Sequence, residues 1–212
     1  MQMIHFFSKQ YFFSALLLVL LSSLNVRAEV ETYQIDPHHS SANFLIRHVV
    51  AKLSGSFSDV NGELRIDRSN LANSSVQARI NMTSVNTHHA KRDEHIKKSD
   101  YLDVMQFAEM QFVSSKIEPG KQADEGLVTG TLTLHGVSKT LTFPFKILGF
   151  GNDPWGGQRT GIQASTVIKA SDFGFQWGLK PQAPVGDDIE VTLLLEGVKA
   201  KSAQCIGNLR QQ

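Results

Sequence analysis

The residues best suited to chemistry gather in one stretch, Thr87 to Phe107, THHAKRDEHIKKSDYLDVMQF. His88, His89 and His95 lie beside Asp93 and Glu94, side chains that bind metals or move protons. On a helix, His88, Arg92 and His95 fall at i, i+4 and i+7, along one face. Arg92 would then set a fixed cation between two imidazoles, which disfavours a divalent ion there. His89 and Asp93 make the better pair, but two ligands do not complete a site. Glu94-His95 runs on into Ile96-Lys97-Lys98, so the zinc-protease pattern H-E-x-x-H is absent. His38-His39 could add a third ligand only through folding.

Nucleophilic catalysis finds less support. No serine stands in a G-x-S-x-G elbow. The one cysteine, Cys205, lies near the C-terminus, and alone it makes neither an intrachain disulfide nor a thiolate cluster. The Gly-rich run from Gly149 to Gly157 lacks the Lys-Ser/Thr of a phosphate loop. It reads as a loop stiffened by Pro154 and anchored by Trp155. No catalytic residue, metal ligand or cofactor is assigned from these patterns.

The elements that must carry these residues are strands. From Thr32 onward, apolar and polar residues alternate with a period of two, the mark of half-buried β-structure. Ala42, Phe44, Ile46 and His48 share one face, and Val76, Ala78, Ile80 and Met82 another. Leu132 with Leu134, Leu141 to Ile147, Ile162 to Ile168 and Ile189 to Leu195 repeat the pattern. Turn signals at Asn61-Gly62, Pro119-Gly120, His135-Gly136 and Pro181 to Gly186 separate about eight strands. Such a meander, apolar on one side, is best stabilised by closing on itself, which removes exposed edges. The fold expected is an all-β, antiparallel up-and-down barrel with a short helical insertion near 88–105. A barrel of that size is filled by side chains or holds one small ligand.

The chain has 212 residues, 41% of them hydrophobic and 19% charged, with a formal charge of +1. That balance points to one domain and to neither nucleic acid nor an anionic surface as partner. Lys9, the apolar run Phe12 to Leu21 and Val26-Arg27-Ala28 read as a secretory signal cleaved after Ala28. The run is about half the roughly 20 residues a membrane span needs. The expected division is a signal peptide at 1–28, a barrel domain at 29–200 and a tail at 201–212, with export to the periplasm.

Six stretches carry a resemblance. They are YQIDPHHSSANFLIRH (Tyr33 to His48), NGELRID (Asn61 to Asp67) and T-x-x-x-x-R-D-x-H-I-x-x-x-D-Y-L-D (Thr87 to Asp103). GTLTLHGVSKTLTFP (Gly130 to Pro144), GNDPWGGQRTGIQA (Gly151 to Ala164) and ASDFGF (Ala170 to Phe175) follow in order. Together they resemble the YceI family, exported bacterial proteins of lipocalin-like fold described as polyisoprenoid-binding. Two positions depart from its pattern. Phe107-Ala108 stands where Tyr-Pro is frequent, and Leu102 where a second aromatic is common.

The resemblance implies a lipocalin-like barrel holding a polyisoprenoid or similar long-chain lipid, such as a prenyl quinone, for transport, storage or sequestration. It requires no cofactor and no chemistry on the ligand, and it is compatible with transient inner-membrane contact and with a homodimer. The bulky inward positions Phe44, Ile46, Met82, Phe112, Leu132, Phe143 and Ile168 are the candidate lining; the bland alternative is that they fill a dry core. His48, Arg92, Trp155 and Arg159 are candidates for the mouth, where a cation could meet a phosphate or quinone head group. Surface ion pairs and turn packing are the competing roles for those four. Tyr101, Leu102, Val104, Met105 and Phe107 offer an apolar side to a lid on the barrel end. The rival from another class is a periplasmic enzyme, with or without metal, working through the His-rich segment 88–95. A third possibility is a scaffold for a protein partner.

Overall fold

The computed structural model describes residues 29–201. The expected signal segment and, Lys201 apart, the tail with Cys205 lie outside the described residues. The chain opens with β1 (Glu31–Ile35) and β2 (Ser41–His48), then turns at Val49-Val50 into β3 (Ala51–Phe57) and β4 (Val60–Ile66). A 3-10 turn (Leu71–Asn73) leads to β5 (Ser75–Asn81), the short β6 (Val85–Asn86) and the helix α1 (Ala90–Ile96). Then come β7 (Glu109–Pro119), β8 (Glu125–Leu134), β9 (Val137–Asn152), β10 (Gln158–Lys169) and β11 (Val185–Lys199).

Every pairing is antiparallel, and β11 closes the ring twice. Its last residues pair with β1, with Ile35 opposite Gly197, and its first half pairs with β2, with Ile46 opposite Ile189. β1 also pairs with β4, and β2 with β3. The segments β1–β2 and β3–β4 are therefore two long staves, each broken once. With β5 and β7 to β11 they form the expected closed barrel of eight strands.

Alternation explains why these residues form these strands. In β8, Val128, Leu132 and Leu134 are buried inward, while Thr129, Thr131 and Thr133 face outward. The outer face is tied across strands by hydroxyl pairs, Thr129–Thr142 and Thr133–Ser138, each at 2.8 Å. Between β8 and β9 a two-residue turn places His135 at φ 51° and Gly136 at φ 74°, the left-handed geometry that suits a right-twisted hairpin. Register shifts after Ser114 and at Gly161 let the long strands bend around the barrel.

Because successive staves alternate in direction, their connections sort to two ends. The base carries 67–74, 120–124 and 153–157. The lid end carries Val49-Val50, the whole of 82–108, His135-Gly136 and 170–184.

Candidate ligand cavity and its lid

The inward faces enclose a cavity of about 320 Å³, within the roughly 300–1,000 Å³ common for small-molecule sites. Phe44, Ile46, Met82, Phe112, Leu132, Phe143 and Ile168 all line it, brought together from six separate segments. Two glycines keep these aromatic rings against the wall. Gly55 stands opposite Phe44, and a Cβ there would lie 2.3 Å from the tip of the ring. A Cβ on Gly130 would lie 2.5 Å from the tip of Phe112. The missing methyl groups let each ring lie along the neighbouring strand instead of across the bore.

The base is closed by charge and hydrogen bonds. Leu71, buried in its 3-10 turn, forms part of the cavity floor. Beneath it Asp67 accepts four hydrogen bonds, from the Ser69 backbone N–H and hydroxyl, the Asn70 N–H and the Asn73 amide. The Asn73 and Ser69 side chains first, and the two backbone N–H groups after them, pull the Asp67 carboxyl down to about 2. Glu31 accepts from Lys199 (2.7 Å), Tyr33 (2.8 Å) and Arg68. Burial opposes its ionisation, and those three partners more than offset the burial, so its pKa is lowered. Arg68 also lies 3.7 Å over the Phe150 ring.

The lid end is built differently. α1 begins where the His89 ring accepts the Arg92 backbone N–H at 3.2 Å, an N-cap role. Arg92 donates through Nε to the Thr87 hydroxyl (2.7 Å) and through Nη2 to the Thr87 carbonyl. Asp93 turns back to accept the Thr87 N–H (2.9 Å) and hydroxyl. Burial acts to raise the Asp93 pKa. The Thr87 hydrogen bonds and the charges of Arg92 and Lys97 outweigh it, and the pKa falls. Thr87 is thus a clasp between a cation and an anion.

A row of rings then ties the lid to the barrel rim. His95 meets Tyr101 (4.8 Å), Tyr101 meets Trp177 (5.8 Å), and Trp177 meets Phe175 (4.3 Å). Phe175 continues to His135 (4.5 Å) and His135 to Phe107 (4.3 Å). Val104 is buried beneath the lid, whereas Met105, expected on its apolar side, is 93% exposed.

The four mouth candidates are divided between the two ends. His48 and Arg92 line the cavity at the lid end. Trp155 and Arg159 sit at the base outside the lining, Trp155 being 84% exposed. Arg159 is engaged with Asp153 (2.9 Å), Asp36 (3.0 Å) and Glu196. The lid histidines also part company: His88 precedes the helix at φ 62°, His89 caps it and His95 packs at a tilt against Tyr101. His39 lies elsewhere, 2.8 Å from Asp36. Asp36, His39 and Glu196 are the one group among the described residues with metal-ligand spacing, and the Arg159 guanidinium already supplies the cation that bonds both carboxylates. His39 first, with Arg159 and the His38 N–H, overcomes the effect of burial and pulls Asp36 down to about 2.

Sequence patterns missed Leu71, Tyr101 and Trp177 as lining residues, because all three lie outside the alternating strands. Phe173, Phe175 and Trp177, spaced by two, were the available signal for the last.

A family model described as the YceI-like domain matches residues 33–197. Proteins named YceI from Escherichia coli O157:H7 and Salmonella arizonae are each 38% identical over 172 residues, 80% of this chain and 87% of theirs. The solved Campylobacter jejuni YceI protein is 27% identical, with a TM-score of 0.64 over 72% of this chain and 88% of its own. A polyisoprenoid binding domain from Saccharophagus degradans shares the fold at 17% identity, with a TM-score of 0.60 over 81% of this chain and 100% of its own.

Proposed function

The chain belongs to the YceI-like family, and from that premise we propose that its barrel binds a long-chain polyisoprenoid or related amphipathic lipid, such as a prenyl quinone. The observation that carries this reading is the cavity itself: an apolar bore running from the lid to Leu71, lined by inward residues of nearly every stave. Burying on the order of 400 Å² of a prenyl tail at roughly 25 cal/mol per Å² contributes about 10 kcal/mol before ordering costs. The polyisoprenoid-binding description of the Saccharophagus degradans neighbour supports the same ligand class.

The protein carries, stores or sequesters this lipid in the periplasm, reached through the signal segment at 1–28, and performs no chemistry on it. Val50, 96% exposed, and Met105, 93% exposed, both belong to the lid end. They give it apolar contacts for brief docking on the inner membrane, where lipid would be exchanged.

Mass spectrometry of an organic extract of protein purified from its native compartment tests the ligand. A stoichiometric prenyl or other long-chain lipid is expected. Protein that arrives empty and takes up no lipid from vesicles in vitro defeats the proposal.

A further inference from the structure

The barrel wall is not zipped along its whole height. β9 and β10 pair from Asn152 with Gln158 as far as Phe145 with Ala164. Beyond that pair, toward the lid, β9 goes on beside β8 to Val137 and β10 beside β11 to Lys169, but not beside each other. The sequence supplies the reason. The Ile147 N–H donates to Asp124, on the β8 side. Along an antiparallel strand these groups alternate in direction, so the N–H groups of Phe145 and Ile147 face β8, and those of positions 144 and 146 face β10. Position 144 is Pro144, which has no N–H to give, and the pairing with β10 ends there. The inner side chains leave the fork thin. The Phe145 ring lies over Gly126 of β8, where a Cβ would come within 2.9 Å of it. The Phe143 ring turns to Phe112 of β7, with 5.3 Å between centres. Both rings lean away from β10, which presents only Ala164 and Thr166 to the cavity beside them. Outside, a groove begins at Gly120 in the base turn and runs past Leu127 and Gln163 to Pro144 and Ser165. Phe145 and Ala164 line this groove and the cavity alike, so the two spaces meet at the fork.

We infer that this fork is a side portal: the distal isoprene units of a long-chain ligand leave the bore between β9 and β10 and lie in the outer groove. The inference rests on the lipid-binding reading and adds a second subsite, for apolar chain, outside the barrel. Volume gives the need. At about 320 Å³ the cavity stands at the small end of the roughly 300–1,000 Å³ common for ligand sites, so a long prenyl chain requires room beyond it. The groove offers apolar surface. Leu127, opposite Pro144, is 43% exposed, and Val167, on the unpaired run of β10, is 59% exposed. Lys146, the groove's cation, is answered by Glu125 at 3.0 Å, which leaves its methylene stem to cover a hydrocarbon.

The experiment measures binding of farnesol, geranylgeraniol and a nonaprenyl alcohol, supplied from the same micelles, to the full chain and to two variants. Pro144→Thr restores the missing N–H and should zip the fork further. Leu127→Asp leaves the fork open and puts a charge in the groove, outside the bore. Each variant should bind farnesol as wild type does and the nonaprenyl alcohol roughly tenfold more weakly, with geranylgeraniol between them. A nonaprenyl alcohol carrying a diazirine at its far end should, on irradiation, mark Leu127, Gln163 or Ser165 in wild type and no longer mark them in Pro144→Thr. The inference is overturned if either variant holds the nonaprenyl alcohol as tightly as wild type does, if farnesol is lost equally, or if the label stays inside the bore or emerges at the lid. Farnesol bound by wild type, with no dependence of the longer alcohols on either substitution, sinks the portal alone. Failure of wild type to bind any of the three removes the lipid-binding reading as well.

Discussion

At the base, Asp67, Glu31 and Arg159 are each surrounded by several donors or acceptors. At the lid end, six rings from His95 to Phe107 and a single threonine clasp hold the cover in place. The two ends close the same barrel with different forces. Hydrogen bonds to a buried carboxylate are directional, and losing one strands the rest. Ring contacts contribute about 0.5–1.5 kcal/mol each and tolerate sliding. A barrel that must admit a lipid can open where contacts are lost one at a time and keep the other end shut. The low-stability segment should be the lid, as regions that move for function generally are.

The sharpest break of this contrast is Asp67→Asn, which leaves the base donors without their anion. It should give the largest fall in urea midpoint at neutral pH. The Asp67 pKa is lowered on folding, so its stabilisation is complete above the ordinary 3.8 and disappears as pH falls toward about 2. Wild-type stability should therefore drop in that window, and Asp67→Asn should flatten the drop. The flattening is partial, because Asp36, also held at about 2, titrates in the same range. A variant as stable as wild type at pH 7 would show that the base is not fastened by this carboxylate.

Tyr101→Ala removes a middle rung of the ladder. A loss of about 1–3 kcal/mol is expected, with hydrogen exchange accelerating across 87–107 while β1, β4 and β5 stay protected. Exchange that speeds up equally at both ends would merge the two regions into one cooperative unit. The smallest effect belongs to Trp155→Ala. This exposed base residue should change stability by less than about 0.5 kcal/mol and lipid uptake not at all. A marked loss of uptake would place the mouth at the base.

The barrel was readable because inward and outward residues alternate on nearly every stave, and alternation needs no knowledge of partners. The break between β1 and β2, at Asp36 to Ser40, was not: its conformation depends on Glu196, more than 150 residues away, which exchanges hydrogen bonds with Ser40. The helix near 88–105 came out shorter, Ala90–Ile96. Beyond it Leu102 and Val104 bond back to Ile96 and Lys97, and Asp103 takes φ 45°, so the chain winds into turns. Of the lining, seven positions could be named from the inward periodicity, six on strands and Met82 on the 3-10 turn that follows β5, while Trp177 depends on a stack between two loops. For Arg159 the sequence left a head-group cation and a surface ion pair both open, because the carboxylates that hold it lie 6, 37 and 123 residues away.

The Gly55–Phe44 pair sets something that no hydrogen bond sets, the calibre of the bore. The three atoms nearest a Cβ at residue 55 all belong to the far end of the Phe44 ring, so an alanine there should leave the strands in register and swing the ring inward. One methyl group on the wall thus exchanges for a narrowing at the axis. A barrel of unchanged architecture can be regauged for thinner or shorter lipids by a single substitution that the ligand itself never touches.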